Sequence, residues 1–376
     1  MTITIKEVKT RSDLRKYIHL PSKIHRNHSN WVPPLYIDEW RYYNTKKNLS
    51  FSHCDTILLL AYKEGKLAGR IMGIINHKYN ERKNEKHARF NFLEVWNDQE
   101  VAHALLSYIE NWGRQKGMNK VIGPFGFSDK DPQGYLIKGF HEKGIFSNHH
   151  NFEYLIDILT KEGYIKEIDI VSYKGEIQTE MPELSKRIFD RLKRNNPDLK
   201  RILFTKRKQV KPWINPGINL INKTFTDIYG FEEISEQEME EFANRYLVFI
   251  DPKFVGTVVD KENKPVTFFI GMADISDGIR KCKGYIFPFG IFNIMKAAKQ
   301  SKTVVFLLGG VDPYYRNRGI DLFLANRMIE WRNKYGMEFF ESNYELENNT
   351  LVRAVMEKLG GKVHKHFRIF QKSLVD

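Results

Sequence analysis

Residues 311–321 read VDPYYRNRGID and stand between an apolar run at 303–308, which predicts a strand, and an amphipathic stretch that predicts a helix. At such a junction the N–H groups of the loop and of the first helical turn converge, and they can bind an anion. Guanidinium groups would support a diphosphate that is held mainly by main-chain donors. An ordinary basic loop that caps a helix is the competing interpretation, because a short Arg and Gly run is a weak motif. The cradle would consist of Arg316, Asn317, Arg318 and Gly319.

An apolar stripe at helical spacing follows the loop and predicts a helix that ends at Gly336. Residues 337–344 then predict a strand, and a turn at 348–349 leads into a second helix. Glycines at 360–361 stop that helix, since a helix C-terminus favours a residue with positive φ. A closing strand is expected at 364–370. The stripe of the first helix is formed by Ile320, Phe323, Leu324, Met328, Trp331 and Tyr335.

The first half of the chain repeats this design. A hairpin around Gly65 matches a later one around Asn263, each with a short polar turn between two apolar strands. Two units of ordinary domain size predict a duplication, with domains at 1–178 and 179–376. The first copy runs directly from strand to helix at 92–106 (FLEVWNDQEVAHALL), without an Arg and Gly cradle. Only the second copy is therefore expected to hold a cofactor.

The loop and its flanking elements resemble the acyl-CoA pyrophosphate loop and core of the GNAT (GCN5-related N-acetyltransferase) superfamily. That loop reads Val-x-Pro, two residues, then Arg-x-x-Gly-x-Gly or Ala, and Val311, Pro313, Arg316 and Gly319 match it. Asp321 replaces the last small residue, which costs affinity for a diphosphate unless the carboxylate turns away to cap the helix. The resemblance implies an α/β (α+β) fold with two tandem GNAT-like domains. Each would be a mixed, mostly antiparallel sheet flanked by helices.

The resemblance also implies acyl-CoA as donor, an amine as acceptor and no metal. The backbone at 308–311 would pair with the pantetheine arm and offer an N–H to the thioester carbonyl. Many relatives carry a Tyr that protonates the departing thiolate, and Met356 stands at that position. Glu341 and Glu345 are alternative bases, acting directly or through water, and Tyr344 is the nearest replacement for the acid. The expected cofactor-binding residues are Leu308, Gly309, Gly310, Val311, Arg316, Asn317, Arg318, Gly319, Ile320 and Asn349.

Three short motifs narrow the resemblance: GPFGFS at 123–128, FPFG at 287–290, and LENN at 346–349 ahead of EKLGGK. Over about 55–372 the chain resembles a bacterial subset of tandem GNAT proteins that includes ceramide-synthase-like acyltransferases. That implies transfer of a fatty acyl group from acyl-CoA to the amine of a long-chain base at the cytoplasmic membrane face. Two alternatives stay open: a scaffold that binds CoA without catalysis, and a Fem-like aminoacyltransferase with a tRNA donor. The cradle at 316–319 argues against the second, because that donor lacks the diphosphate arm.

Composition limits the class of protein further. The 376 residues carry a formal charge of +14, from 60 Lys and Arg against 46 acids, which favours polyanionic partners. CoA and an anionic membrane face both fit, whereas nucleic acid is not expected because no groove-reading motif or interleaved stacking aromatics occur. Cys54 and Cys282 are too few for a disulfide framework. Without a signal-like apolar core at 1–10 or a run of ~18 apolar residues, the prediction is a cytoplasmic protein, at most peripheral at the inner membrane face.

One apolar segment is left open. Residues 284–299 read GYIFPFGIFNIMKAAK and come just before the strand that precedes the cradle. Such a run could line an apolar channel, dip into a bilayer surface, or form a helix packed into the core between domains.

Overall fold

The structure is a computed structural model that describes residues 2–226, 228–233, 235–238 and 250–375. The chain divides into two compact units that interleave along the sequence. The first unit comprises Met1–Val171, Ser276–Met295 and Lys365–Asp376, and the second comprises Ser172–Ile275 and Lys296–His364. The expected division into domains at 178/179 stays a prediction. Across the described ranges, no helix is both long enough and apolar enough to span a bilayer.

The elements of the first half are, in chain order, β1 (Ile3–Glu7), α1 (Arg11–Ile24), α2 (Tyr36–Tyr42), β2 (Cys54–Lys63), β3 (Lys66–Asn76), α3 (His77–Lys83), β4 (His87–Val95), α4 (Gln99–Gln115), β5 (Lys120–Gly123), β6 (Tyr135–Lys138), α5 (Tyr154–Lys161) and β7 (Ile165–Glu176). Those that follow are α6 (Glu183–Asn195), β8 (Lys200–Leu203), α7 (Arg207–Val210), α8 (Ile214–Thr224), β9 (Val255–Val259), β10 (Pro265–Ala273), α9 (Ser276–Lys281), α10 (Gly290–Gln300), β11 (Thr303–Val311), α11 (Leu322–Tyr335), β12 (Phe339–Ser342), β13 (Glu345–Leu346), α12 (Thr350–Lys358) and β14 (Lys362–Ser373).

Each unit holds a mixed, mostly antiparallel sheet. In the first unit the strand order is β1-β2-β3-β4-β5-β14, and only the β4–β5 pair is parallel among the registers given for these strands. In the second unit the order is β8-β9-β10-β11-β12-β7, with β11–β12 parallel. A parallel pair needs a crossover, and α4 and α11 supply it in the two units. The predicted duplication is thus confirmed in the fold.

Local sequence explains the turns and helix ends. The β2–β3 hairpin turns at Glu64 and Gly65, whose φ values of 50° and 74° are those of a type I′ turn. Helix α11 ends at Gly336, in the left-handed region with φ of 69°, as the sequence predicted. Gly360, with φ of 87°, likewise follows the end of α12.

The crossover helices pack closely on their sheets. In the first unit, a Cβ at Gly73 would meet Ile109 of α4 at 2.8 Å, so glycine permits this approach. In the second unit Trp331 of α11 is fully buried, and its indole N–H donates to the carbonyl of Lys253 at 2.8 Å. Phe254 packs edge-on against the same ring. This helix therefore fixes the end of the loop that precedes it, because its core face cannot shift without opening the packing.

Candidate functional site

The strand that leads into the cradle leaves its parallel neighbour halfway along. Strand β11 pairs with β12 from Thr303↔Phe339 to Phe306↔Ser342. It then continues to Val311 and stays paired with the antiparallel strand β10. That pairing contains one bulge, between Ile270 and Gly271. Residues 307–311 thus extend past the segment that pairs with β12. Their backbone edge on the β12 side lies outside that pairing. An extended ligand can pair with such an edge through main-chain hydrogen bonds.

The loop after β11 folds as a concave turn. The Asp312 carboxylate accepts a hydrogen bond from the N–H of Tyr314 at 2.9 Å and from Lys223 Nζ at 2.8 Å. Burial raises the pKa of Asp312, but the hydrogen bonds from Lys223 and Tyr314 and the charges of Lys223 and Arg316 together outweigh it, and the net pKa is lowered. Asn317 and Gly319 have φ values of 59° and 80°, on either side of Arg318. Main-chain turns in which left-handed and right-handed residues alternate point their N–H groups into one concavity, which binds anions.

The two arginines of the cradle have different environments. Arg316 is half-buried and donates to the carbonyl oxygens of Val311 at 3.3 Å and Thr224 at 3.4 Å, so it ties the loop to the end of β11 and to α8. Arg318 is exposed, and its guanidinium lies 4.2 Å from the ring centroid of Tyr314. Arg316 therefore shapes the loop, whereas Arg318 presents its charge to solvent.

The helix that follows begins without a side-chain cap. Asp321 occupies the N-cap position of α11 and makes no capping bond through its carboxylate; its carbonyl accepts the N–H of Leu324 at 3.0 Å. The carboxylate turns instead towards Lys358, 4.0 Å from its Nζ. The expected alternative of a capping side chain is thus wrong, although the carboxylate does have a cationic neighbour. Ile320 is buried beside Phe323 in the core of the second unit, so only its backbone could face a ligand.

The first unit closes the equivalent edge with its own side chains. Strand β4 pairs with β5 only as far as Arg89↔Ile122 and then continues to Val95. The Tyr135 hydroxyl donates to the carbonyl of Leu93 at 2.6 Å, and that of Tyr154 donates to the carbonyl of Val95 at 2.7 Å. These carbonyls belong to the part of β4 beyond the parallel register. The tyrosines therefore take up acceptors that an extended ligand would need.

Glu341, one expected base, lies in a buried network of the second unit. Its Oε1 is 3.2 Å from Nε2 of His364, and both side chains are almost fully buried. The same His364 nitrogen lies 3.3 Å from the hydroxyl of Ser172, which donates to the carbonyl of Ser342 at 2.7 Å. No local sequence pattern links His364 to a glutamate 23 positions earlier. The geometry favours a positional role for Glu341 or a proton relay through His364.

Glu345, the second expected base, is half-buried at the start of β13. Burial raises the pKa of its carboxyl to about 8. A carboxyl in this range can accept a proton from an ammonium group near neutral pH, as a general base requires. Tyr344 precedes it, half-buried between β12 and β13.

Comparison with known proteins decides the fold. No protein-family model matches the chain. The tandem GNAT protein from the clavulanic acid biosynthesis pathway superposes with a TM-score of 0.57 at 9% identity, covering 100% of this chain and 99% of that one. The chain has the tandem GNAT fold. A GCN5-related N-acetyltransferase from Sphaerobacter thermophilus gives a TM-score of 0.53 at 10% identity, with coverage of 100% and 96%.

Two curated proteins are similar along nearly their whole length. The bacterial ceramide synthase of Caulobacter vibrioides is 25% identical over 385 residues, which is 99% of this chain and 98% of that protein. Protein YghO of Escherichia coli is 25% identical over 374 residues, 97% and 94% of the two chains. These similarities agree with the bacterial subset of tandem GNAT proteins that the sequence motifs indicated.

At the second GNAT helix the structure adds a candidate acid. Asn349 is the N-cap of α12, where its side chain accepts the N–H of Val352 at 3.3 Å, and Met356 is buried. Tyr173, which sequence reasoning missed, brings its hydroxyl to the same helix, 2.9 Å from Arg353 Nε. Burial raises the pKa of Tyr173, and Arg353 opposes that rise. Tyr173, which lies on β7, thus reaches the helix that carries Met356.

The first unit also gathers histidines that lie far apart in the sequence. His25 contacts Glu94 at 3.0 Å through Nε2 and His28 at 2.9 Å through Nδ1. Burial, together with His25 and His150, lowers the pKa of His28 to about 3. In the described part of the chain, no three or more His, Cys, Asp or Glu side chains are arranged so that they could hold a metal ion. The cluster is a stacked arrangement, in which the His25 ring lies parallel to that of Phe152 with centroids 4.9 Å apart.

Proposed function

We propose that the protein is an N-acyltransferase that transfers an acyl group from acyl-CoA to an amine. The observation that carries this proposal is the β11 edge at 307–311, which runs directly into the positive-φ loop at 316–319. A pantetheine arm would add to that edge as a short strand, and the diphosphate would receive the loop N–H groups and the Arg318 charge. The solved proteins that share this fold are described as acetyltransferases or GNAT proteins.

The donor would be bound by the second unit alone. Its loop has ten residues between β11 and α11, whereas the first unit has three between β4 and α4. Tyr135 and Tyr154 already bond the carbonyls along the equivalent edge of the first unit. We assign the donor to Leu308, Gly309, Gly310, Val311, Arg316, Asn317, Arg318, Gly319, the backbone of Ile320, and Asn349.

The chemistry needs three groups. Glu345 would take the proton of the ammonium, so that the free amine attacks the thioester carbonyl and forms the C–N bond. An N–H of residues 308–311 would stabilise the oxyanion, and the C–S bond then breaks. The thiolate takes a proton from Tyr344 or from Tyr173. Glu341 would act only through His364, given their contact of 3.2 Å.

For the acceptor we propose a long-chain lipid base met at the inner membrane face. The support is the similarity along 99% of this chain to a protein described as a bacterial ceramide synthase, together with the formal charge of +14. One observation favours a second candidate, a scaffold that binds CoA without catalysis. Asp321 and Met356 occupy positions where active relatives carry a small residue and a Tyr, and neither substitution is compensated within its own helix.

Release of free thiol decides between the two. The protein is incubated with acyl-CoAs of increasing chain length and with a panel of amines from short water-soluble amines to long-chain bases. Thiol release that depends on the amine, with the N-acyl product seen by mass spectrometry, supports the transferase. Tight acyl-CoA binding without release supports the scaffold. Product formation only with aminoacyl-tRNA would support a Fem-like enzyme and would exclude the acyl-CoA donor.

A further inference from the structure

A group of large apolar side chains stands out on the surface of the first unit. Phe287, Phe289, Phe292 and Met295 are between 63 and 73% exposed. The chain has 26 phenylalanines, and every one that is exposed among the described residues belongs to this group. We call these four residues the aromatic surface. The segment 284–299 is therefore not buried in a core along its whole length. Its side chains at Ile286 and Ile294 are buried, whereas those of the aromatic surface are exposed.

Hydrogen bonds order the backbone next to the aromatic surface. Arg280 of α9 donates to the carbonyl oxygens of Trp31 at 3.2 Å and Asn30 at 3.0 Å. The carbonyl of Gly284 accepts the N–H of Tyr36 at 3.1 Å. These bonds fix the backbone that leads into the turn before α10. The exposed rings are thus carried by an ordered backbone, so less conformational entropy is lost when they bind.

The spacing along α10 combines apolar and basic side chains on one face. Phe292, Met295, Lys296 and Lys299 are all exposed, and positions i, i+3, i+4 and i+7 share one side of a helix. Residues 278–311 contain no Asp or Glu and six Lys or Arg. Arg280 pairs with Asp277 and Lys302 pairs with Glu338. The positive charge that has no ion pair among the described residues is therefore that of Lys281, Lys283, Lys296 and Lys299.

We propose that the aromatic surface docks on an anionic phospholipid bilayer, with its rings in the interface and the flanking lysines on the headgroups. Aromatic and apolar side chains bordered by Lys are the composition that binds at a membrane interface. Helix α10 has 11 residues, about 16 Å, which is too short to cross a hydrocarbon core of about 30 Å but suits a shallow position in the interface. A second copy fits less well, because two such faces would bring like charges together, and protein interfaces are depleted in Lys. The inference deepens the proposed function by placing a lipid acceptor near the protein, but binding itself does not depend on catalysis.

Vesicle sedimentation tests the proposal. The wild-type protein should sediment with phosphatidylcholine vesicles that contain about a third phosphatidylglycerol, and far less with pure phosphatidylcholine. Phe289→Ser combined with Phe292→Ser should weaken the partition about 100-fold, about tenfold for each ring. The matched control combines Ile37→Ser with Ile165→Ser, two exposed apolar residues of the same unit outside the aromatic surface. That control should sediment like the wild type.

A second set of variants tests the contribution of the lysines to vesicle binding. Replacing Lys281, Lys283, Lys296 and Lys299 with Gln should weaken binding to anionic vesicles about fivefold per lysine and leave the residual binding to neutral vesicles unchanged. No sedimentation of the wild type, or equal sedimentation of the Phe variant, would overturn the proposal. So would a wild-type dimer, seen by light scattering, that the Phe variant converts to a monomer, since the surface would then join two copies.

The outcome is separable from that of the proposed function. Thiol release with a short, water-soluble amine should be equal in the wild type and the Phe variant, because the variant leaves the second unit intact. Vesicle binding without any thiol release would overturn the transferase and leave the docking surface standing. Thiol release without vesicle binding would do the reverse. Equal circular dichroism spectra and melting curves show that the variants are folded.

Discussion

Replacing Arg318 with alanine tests the diphosphate cradle most directly. The side chain is exposed and lies over the ring of Tyr314, so its removal takes away a charge without opening a packed core. A charge-assisted hydrogen bond contributes about 1.5 to 3 kcal/mol net, and solvent exposure places this one near the lower limit. Arg318→Ala should therefore raise the Kd for acyl-CoA about tenfold.

Arg316→Ala should have a larger and mixed effect. Its guanidinium holds the loop to the carbonyls of Val311 and Thr224, so the variant loses both a charge and the fixed shape of the turn. The two substitutions share one loop, and their effects should not add. The double variant should still weaken binding by several kcal/mol, since two charge-assisted contacts of about 1.5 to 3 kcal/mol each are removed.

Titration calorimetry with CoA and with acyl-CoA measures these changes, at low and at high salt. The Debye length falls from about 10 Å at 0.1 M salt to about 3 Å at 1 M, so the gap between wild type and Arg318→Ala should narrow. Arg15→Ala, which removes an exposed charge of the first unit, is the matched control and should bind like the wild type. An unchanged Kd in the Arg316 and Arg318 double variant, at both salt concentrations, would remove the loop from the donor site.

Four other predictions concern protonation and the two copies. If Glu345 is the base, kcat/KM should rise with pH through about 8, and Glu345→Gln should abolish that rise. The pKa of Glu345 in the folded state lies above its unfolded value, so the native state holds a proton that it loses as pH increases from about 4.5 to about 8, and its stability falls over that range. Denaturant titrations should therefore find the Gln variant more stable than the wild type at the alkaline end. The difference in the free energy of unfolding should vanish towards pH 4.5. Tyr173→Phe and Tyr344→Phe should differ in kcat at equal acyl-CoA affinity, and the variant with the lower kcat identifies the acid; equal kcat in both and in wild type would exclude these tyrosines. The double variant Tyr135→Phe, Tyr154→Phe should lower the free energy of unfolding by about 1 kcal/mol for each hydroxyl hydrogen bond that is lost, and it should leave the affinity for acyl-CoA unchanged. A second bound acyl-CoA in calorimetry would contradict the assignment of the donor to the second unit.

Much of the fold was predictable, because its signals are local. The end of α11 at Gly336 follows from one glycine and one apolar stripe, and the hairpin at Gly65 follows from a short polar turn between apolar strands. The loop at 316–319 was found by its own composition. Contacts between distant positions carry no such signal, so the pair of Glu341 with His364 and the approach of Tyr173 to α12 became visible only in the structure.

The two copies show why a duplicated sequence can divide its tasks. Strands β4 and β11 are both nine residues long, and they leave their parallel neighbours after three and four residues, respectively. Both also carry a register shift opposite the preceding strand. What differs is small: seven more residues in one connection, and two tyrosine hydroxyls on the other edge. A strand edge with unpaired carbonyls and N–H groups costs free energy unless a ligand or a side chain completes its hydrogen bonds. In the first unit tyrosines supply part of that completion permanently, whereas in the second unit the proposed completion comes with the donor, so the same edge can be structural in one copy and part of a binding site in the other.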